Sequence, residues 1–239
     1  MILLALETAT DRASVAVGPS EAEAVETSLS GARRHASSLL PMVKTVLAKA
    51  GLTLDDLTAV VVSDGPGSFT GLRVGAAVAK ALIQARGLRL WTAPSLLVRA
   101  AGAGTLDATV LAVSDALRGD IYAAAYRLGS DRIVTELAPT VCRPEDLEVR
   151  IGRPTLIVGD VPTPARQSLE QWSGRPVVPS PIGAPDATRL LGLVGRMGGA
   201  REIADPAGWE PEYGRPAEAQ ARWEMAHGRS LPNSVGSPS

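Results

Sequence analysis

The stretch from Ala59 to Arg86 constrains the fold more than any other part of the chain. It passes from a five-residue apolar run, Ala-Val-Val-Val-Ser, through Asp64-Gly-Pro-Gly-Ser-Phe-Thr70 into a glycine- and alanine-rich segment from Gly71 to Arg86. A short β-branched run bounded by turn residues predicts a buried strand, and the segment after it predicts a helix. The glycines therefore sit where a strand hands over to a helix, a unit of α/β folds. Gly65 and Gly67 permit positive φ or close backbone approach, Pro66 stiffens the turn, and Ser68 or Thr70 stands where a helix cap is needed. The string is not a lysine-bearing phosphate loop, because the next lysine is Lys80. On residue chemistry alone, a structural turn outweighs an anion site at the helix N-terminus.

Elsewhere, Ile2 to Leu6 and Ala13 to Val17 predict two strands joined by a turn at Thr8 to Arg12. Thr109 to Val113 and Ile121 to Tyr126 repeat that shape around Ser114, Asp115, Arg118, Gly119 and Asp120. Either one supersecondary unit occurs twice, or two hairpins are independent. Between them, Ala36 to Ala50 places Leu39, Leu40, Val43, Val46, Leu47 and Ala50 on one helical face, with Gly51 as the stop. Thr155 to Val158 predicts a strand, and Ala187 to Met197 a helix closed by Gly198 and Gly199. The expected organisation is a first lobe over 1–103, a smaller second lobe over 104–204 and a proline-rich segment over 205–239. The end of that segment reads as disordered, although Trp209, Tyr213 and Trp223 imply that part of it docks.

Lys plus Arg number 24 against 25 Asp plus Glu, so no bulk field draws this chain to nucleic acid or to an anionic membrane. Cys142 is the sole cysteine, which excludes an internal disulfide and a cysteine-rich zinc site. Only His35 and His227 are available as imidazole ligands. No basic leader or long apolar run is present, and a cytoplasmic protein without membrane attachment is the expectation.

Taken together, GPGSFTGLRVG at Gly65 to Gly75, ILLALETATDRASVAV from Ile2, RRHASSLLPMV from Arg33 and DALRGDIYAAAY from Asp115 resemble the bacterial TsaB family, also called YeaZ. Fainter likenesses follow in TLIVGD from Thr155 and PEYGRPAEA from Pro211. The resemblance implies an α/β fold of two lobes, each a mixed β-sheet flanked by helices, as in the ASKHA superfamily of actin, heat-shock chaperones and sugar kinases. It also implies a non-catalytic subunit in the synthesis of tRNA threonylcarbamoyladenosine, one that binds the catalytic paralogue TsaD and the ATPase TsaE. Transfer RNA would be met only through that complex, and the chain alone would form a homodimer. No intrinsic cofactor is implied, and ATP or ADP is expected at the joint surface with TsaD.

The resemblance further implies that the helix bearing Leu39 and Val43 and the helix after the glycine loop pack against counterparts on TsaD or on a second copy. On that basis His35, Leu39, Val43, Gly71, Arg73, Val74, Gly75 and Val78 are the expected partner-binding residues, and Gly65, Pro66, Gly67, Ser68, Phe69 and Thr70 the structural loop. Arg73 is expected to pair with a carboxylate of the partner, and Phe69 to anchor its loop. The catalytic paralogues carry a metal-binding HxxxH pair on the first of these helices, where this chain has His35 followed by Leu39. Two departures stand out: Glu7 replaces the superfamily's usual aspartate, and Gly214 replaces a leucine beside Tyr213 and Arg215. A free-standing ATP-dependent phosphotransferase of the same fold, with Glu7 and Asp115 as its acids, is the competing reading. A peptidase has less support, since neither an HxxxH pair nor a GxSxG elbow is present.

Overall fold

The computed structural model describes residues 1–31 and 35–214, except for the side chains of residues 35 and 36. The first sheet is built from β1 (Leu3–Glu7), β2 (Arg12–Gly18), β3 (Val25–Ser30), β4 (Ala59–Ser63) and β5 (Arg89–Ala93). Helices α1 (His35–Ala50) and α2 (Phe69–Arg86) lie between its later strands, and α3 (Ser95–Ala101) follows β5. The second sheet takes β6 (Thr109–Asp115), β7 (Ile121–Leu128), β8 (Ile133–Cys142), β9 (Leu156–Asp160) and β10 (Val177–Val178). Helix α4 (Thr163–Ser173) precedes β10, and α5 (Ala187–Leu193) and β11 (Arg201–Ile203) close the series.

The two sheets share one topology. The first runs β3-β2-β1-β4-β5 with β11 added at its edge, and the second runs β8-β7-β6-β9-β10. In each, an antiparallel meander of three strands is followed by parallel strands on the far side of the first. The same unit therefore occurs twice, and the hairpins at Leu3–Gly18 and Thr109–Leu128 are its two copies. The chain is a mixed α/β protein of two lobes, each a mixed sheet flanked by helices.

The lobes do not divide at residues 103 and 204. Helix α3, from the expected first lobe, packs on β6 and β7, while α5, from the expected second, packs on β1 and β2. Strand β11 pairs with β5 in the first sheet. This exchange buries one core between the sheets, with Leu3, Val61, Leu96, Leu97, Val110, Tyr126, Leu190 and Leu191 in contact across it. Separate cores lie under α1 and α2 and under α4. Helix α5 also stops earlier than Met197, because Val194 is extended and Gly195 takes a φ of +82°. Its start is fixed by Asp186, whose Oδ1 accepts from the Thr188 N–H at 2.8 Å. Asp186 also receives Arg12, which in turn holds Glu26, so α5 is tied to the first hairpin.

Candidate functional site

The loop from Asp64 to Thr70 is a joint between three parts of the chain. Its Ser68 hydroxyl accepts from the Gly71 N–H at 3.2 Å and caps α2, and the Ser68 N–H donates to the Ala9 carbonyl at 2.7 Å. The glycines then let α2 meet the turn after β1 backbone to backbone. A Cβ on Gly67 would lie 2.4 Å from the Ala9 oxygen, on Gly71 2.0 Å from the Thr8 oxygen, and on Gly75 2.4 Å from Thr8 Oγ1. The i, i+4 spacing of Gly71 and Gly75 thus serves an internal contact.

Residues 205–214 lie across this joint as a strap. The Glu212 N–H donates to the Asp64 carbonyl at 2.6 Å, and Gly65 takes a φ of +107° where any side chain would strike the Glu212 oxygen. Trp209 is buried among the core residues under α2, and Lys80 binds both Glu210 and the Ala207 carbonyl. Gly214 fits between Pro66 of the first lobe and Tyr122 of the second, where a leucine would have no room. The part of the tail read from Trp209 and Tyr213 as docking is therefore this strap, whereas Arg215, Trp223, His227 and the segment read as disordered lie outside the described residues.

Phe69 and Tyr213 pair at 4.6 Å between centroids, and the Arg73 guanidinium sits 4.7 Å above Phe69 and 6.0 Å from Tyr213. Phe69 anchors its loop to the strap, half-buried in a small cluster with Ala9, Leu72 and Tyr213. Replacing Phe69 with leucine keeps most of the apolar contact but removes the ring pair and the cation–π perch. A loss of about 1 kcal/mol is expected, to be read as a lower urea midpoint at constant slope.

The structure divides the expected partner-binding residues. Leu39 and Val43 are buried under α1, and Gly71 and Gly75 face Thr8, so none of the four is available to a second chain. The apolar periodicity that marked them is that of an internal face. Val74 and Val78 are half-buried beside α1, and Arg73 is exposed. Leu40, taken with the core face in the sequence, is instead 50% exposed, because a turn of 100° per residue carries it past the buried edge set by Leu39 and Val43. The exposed positions of the helix pair mix apolar residues, such as Leu40, Pro41, Ala77 and Ala81, with polar and charged ones, such as Thr45, Thr70, Arg73 and Gln84. The His35 side chain lies outside the described residues.

Of the acidic groups, Glu7 and Asp64 are internal and Asp115 is exposed. Glu7 is wholly buried, and its Oε1 accepts the Ala9 N–H at 2.7 Å while Oε2 has no partner. Burial pushes its carboxyl up to about 7, against the pull of the Ala9 N–H. Asp64 is also raised by burial, with Arg201 opposing at 3.2 Å. Asp115 accepts the Leu117 N–H at 2.7 Å and forms a turn, beside a cavity of about 380 Å³ lined in part by Arg118, Arg143 and Pro164. The metal of the catalytic paralogues does not fit these residues. The position four after His35 is the core residue Leu39, and no cluster of three or more His, Cys, Asp or Glu occurs among the described residues. No helix among them is long and apolar enough to cross a membrane.

Comparison with known proteins agrees with this architecture. Residues 29–160, more than half of the chain, match the family model described as "TsaD: tRNA N6-adenosine threonylcarbamoyltransferase". The solved structure of YeaZ from Pseudomonas aeruginosa is 30% identical, superposes with a TM-score of 0.66, and is matched over 81% of this chain and 90% of that one. The chain belongs to the TsaB (YeaZ) family. The curated TsaB of Bacillus subtilis, named a tRNA threonylcarbamoyladenosine biosynthesis protein, is 29% identical over 197 residues, covering 80% of this chain and 84% of its own. The TsaB of Escherichia coli, with the same description, is 34% identical over 154 residues, 63% of this chain and 66% of its own. Within the motif string at Gly65 to Gly75, the glycines hold α2 against the first hairpin.

Proposed function

We propose that this chain is a non-catalytic subunit in the synthesis of tRNA N6-threonylcarbamoyladenosine, and that it holds a TsaD-like transferase against the outer surface of α1 and α2. What supports this reading is apolar surface left exposed on both helices, Leu40 at 50% on α1 and Ala77 and Ala81 on α2, while the faces bearing Leu39, Val43, Gly71 and Gly75 are buried in the chain's own fold. Two packed helices offering such surface suit a partner that brings two of its own. The buried Leu39 supports a role without metal chemistry, since the family's second imidazole would have to occupy the core. Burial of Glu7 speaks against an independent phosphotransferase, because an acid sealed under the first hairpin reaches no phosphate. On this reading ATP or ADP binds at the surface shared with TsaD, a TsaE-like ATPase joins the pair, and tRNA is met by the assembly.

Size-exclusion chromatography of the full chain with the TsaD encoded in the same genome tests this directly. Co-elution is expected, together with loss of threonylcarbamoyladenosine from tRNA in cells depleted of the chain. Unchanged nucleoside content after depletion, or separate elution, would sink the proposal.

A further inference from the structure

Two bridges join the loop at Asp64 to Pro66 to the second lobe, and they differ in how firmly they are held. The first is α3. Its Ser95 N–H donates to the Gly65 carbonyl at 2.7 Å while the Ser95 Oγ accepts the Gly65 N–H at 3.1 Å, and Leu96, Leu97 and Val98 are then buried in the core between the sheets. The second is the strap. A Cβ on Gly214 would lie 2.9 Å from Pro66 Cβ and 2.7 Å from Tyr122 Cε1, and Tyr122 pairs with Ser114 near the end of β6. The strap therefore spans from the C-terminal end of β4 to that of β6.

The strap is the weaker bridge. Residues 205–214 form neither helix nor strand, include Pro206 and Pro211, and bury chiefly Trp209, Pro211 and Tyr213. Its carboxylates lie open to solvent, Glu210 at 55% where it meets Lys80 and Glu212 at 76% where it meets Arg201. Exposed pairs of this kind hold weakly and are screened by salt. A segment with few buried contacts opens at a lower free energy than the core it lies on. Docked, the strap also covers the turn that serves Glu7, since Tyr213 packs on Ala9 and the Ala9 N–H is the donor to Glu7 Oε1.

We infer that the strap is a latch between the lobes, able to undock while both lobes stay folded. Docked, it holds Pro66 and Tyr122 one glycine apart and fixes the angle between the two sheets. Undocked, it leaves this end of the joint to α3, frees Pro66 and Tyr122 to separate, and opens the turn at Ala9 to water. The inference does not depend on the function proposed above.

Spin labels at Ala77→Cys on α2 and Val149→Cys in the second lobe, both exposed positions, report the separation of the lobes by pulsed double electron resonance. The full chain is used, with Cys142→Ala and dilution by unlabelled chain. One narrow distance distribution is expected with the strap intact. Gly214→Leu, which leaves Trp209 and the ion pairs in place, is expected to shift that distribution to longer distances. Trp209→Ala is expected to add a second, longer population and to speed hydrogen exchange at Ala9 about tenfold, with buried amides of β1 and β6 unchanged. Raising NaCl from about 50 to about 500 mM, with no substitution in the strap, is expected to speed exchange of the strap itself. If the strap only stabilises the first lobe, both variants lower Tm and leave the distance distribution where it was, and that result overturns the inference. Strap amides that exchange only together with those of β1 and β6, in global unfolding, overturn it as well.

Discussion

Replacing Gly71 with alanine is expected to destabilise the whole chain by about 3 kcal/mol, a fall in Tm of about 10 °C. The added methyl would lie 2.0 Å from the Thr8 carbonyl oxygen, and neither side of that contact yields readily. The Thr8 carbonyl belongs to the turn held by the Ala9 contacts, and Gly71 sits in the first turn of a helix capped by Ser68. Gly87→Ala is the matched control. Gly87 closes the same helix with a φ of +65°, but a Cβ there meets nothing within 4 Å. Its substitution carries only the left-handed backbone penalty of about 1 kcal/mol. Thermal melts of the two variants separate two roles for the glycine stripe of α2. If Gly71 served a partner's helix and not Thr8, Gly71→Ala would leave Tm unchanged and weaken binding alone.

The sequence carries both the strand–loop–helix unit and the duplicated hairpin because each is written in local terms: β-branched runs, turn residues and glycines at fixed spacing. It also carries the cap at Ser68 and the positive φ at Gly65, which follow from local backbone chemistry. The exchange of α3 and α5 between the lobes is not legible, since it depends on which sheet face each helix reaches after a loop, a long-range choice. Helical periodicity marks Leu39 and Val43 as apolar but does not say whether the apolar neighbour is the chain's own sheet or another protein. The strap over Gly65 is hidden for a related reason. Its contacts join residues about 150 positions apart through backbone groups, as between Asp64 and Glu212, and these leave little trace in composition.

Raising the pH from about 5 to 8 is expected to cost the folded chain about 2.5 kcal/mol through Glu7 alone. Its carboxyl has an ordinary value of 4.5 and stands at about 7 in the fold because it is buried. Between those values the folded state holds a proton that the unfolded state has released, so stability is full below 4.5, falls as the pH rises and levels off above 7. Glu7→Gln keeps the shape without the titration. Its urea-unfolding stability is expected to match that of the wild type near pH 5 and to exceed it by about 2.5 kcal/mol at pH 8. Asp64, also raised by burial, tilts both proteins alike and cancels in the difference. Asp160 and Asp186 are lowered, since Ser180 and Arg99 in one case and Thr188 and Arg12 in the other outweigh burial, and their titrations fall below this window. Parallel pH curves for the two proteins would mean that Glu7 is ionised in the fold and has found a partner for Oε2. A gap that opens with pH would mean that the acid at this position is a neutral core group in this chain. A carboxyl that remains protonated near neutrality cannot position a cation, so the same measurement bears on the proposed dependence on a catalytic partner.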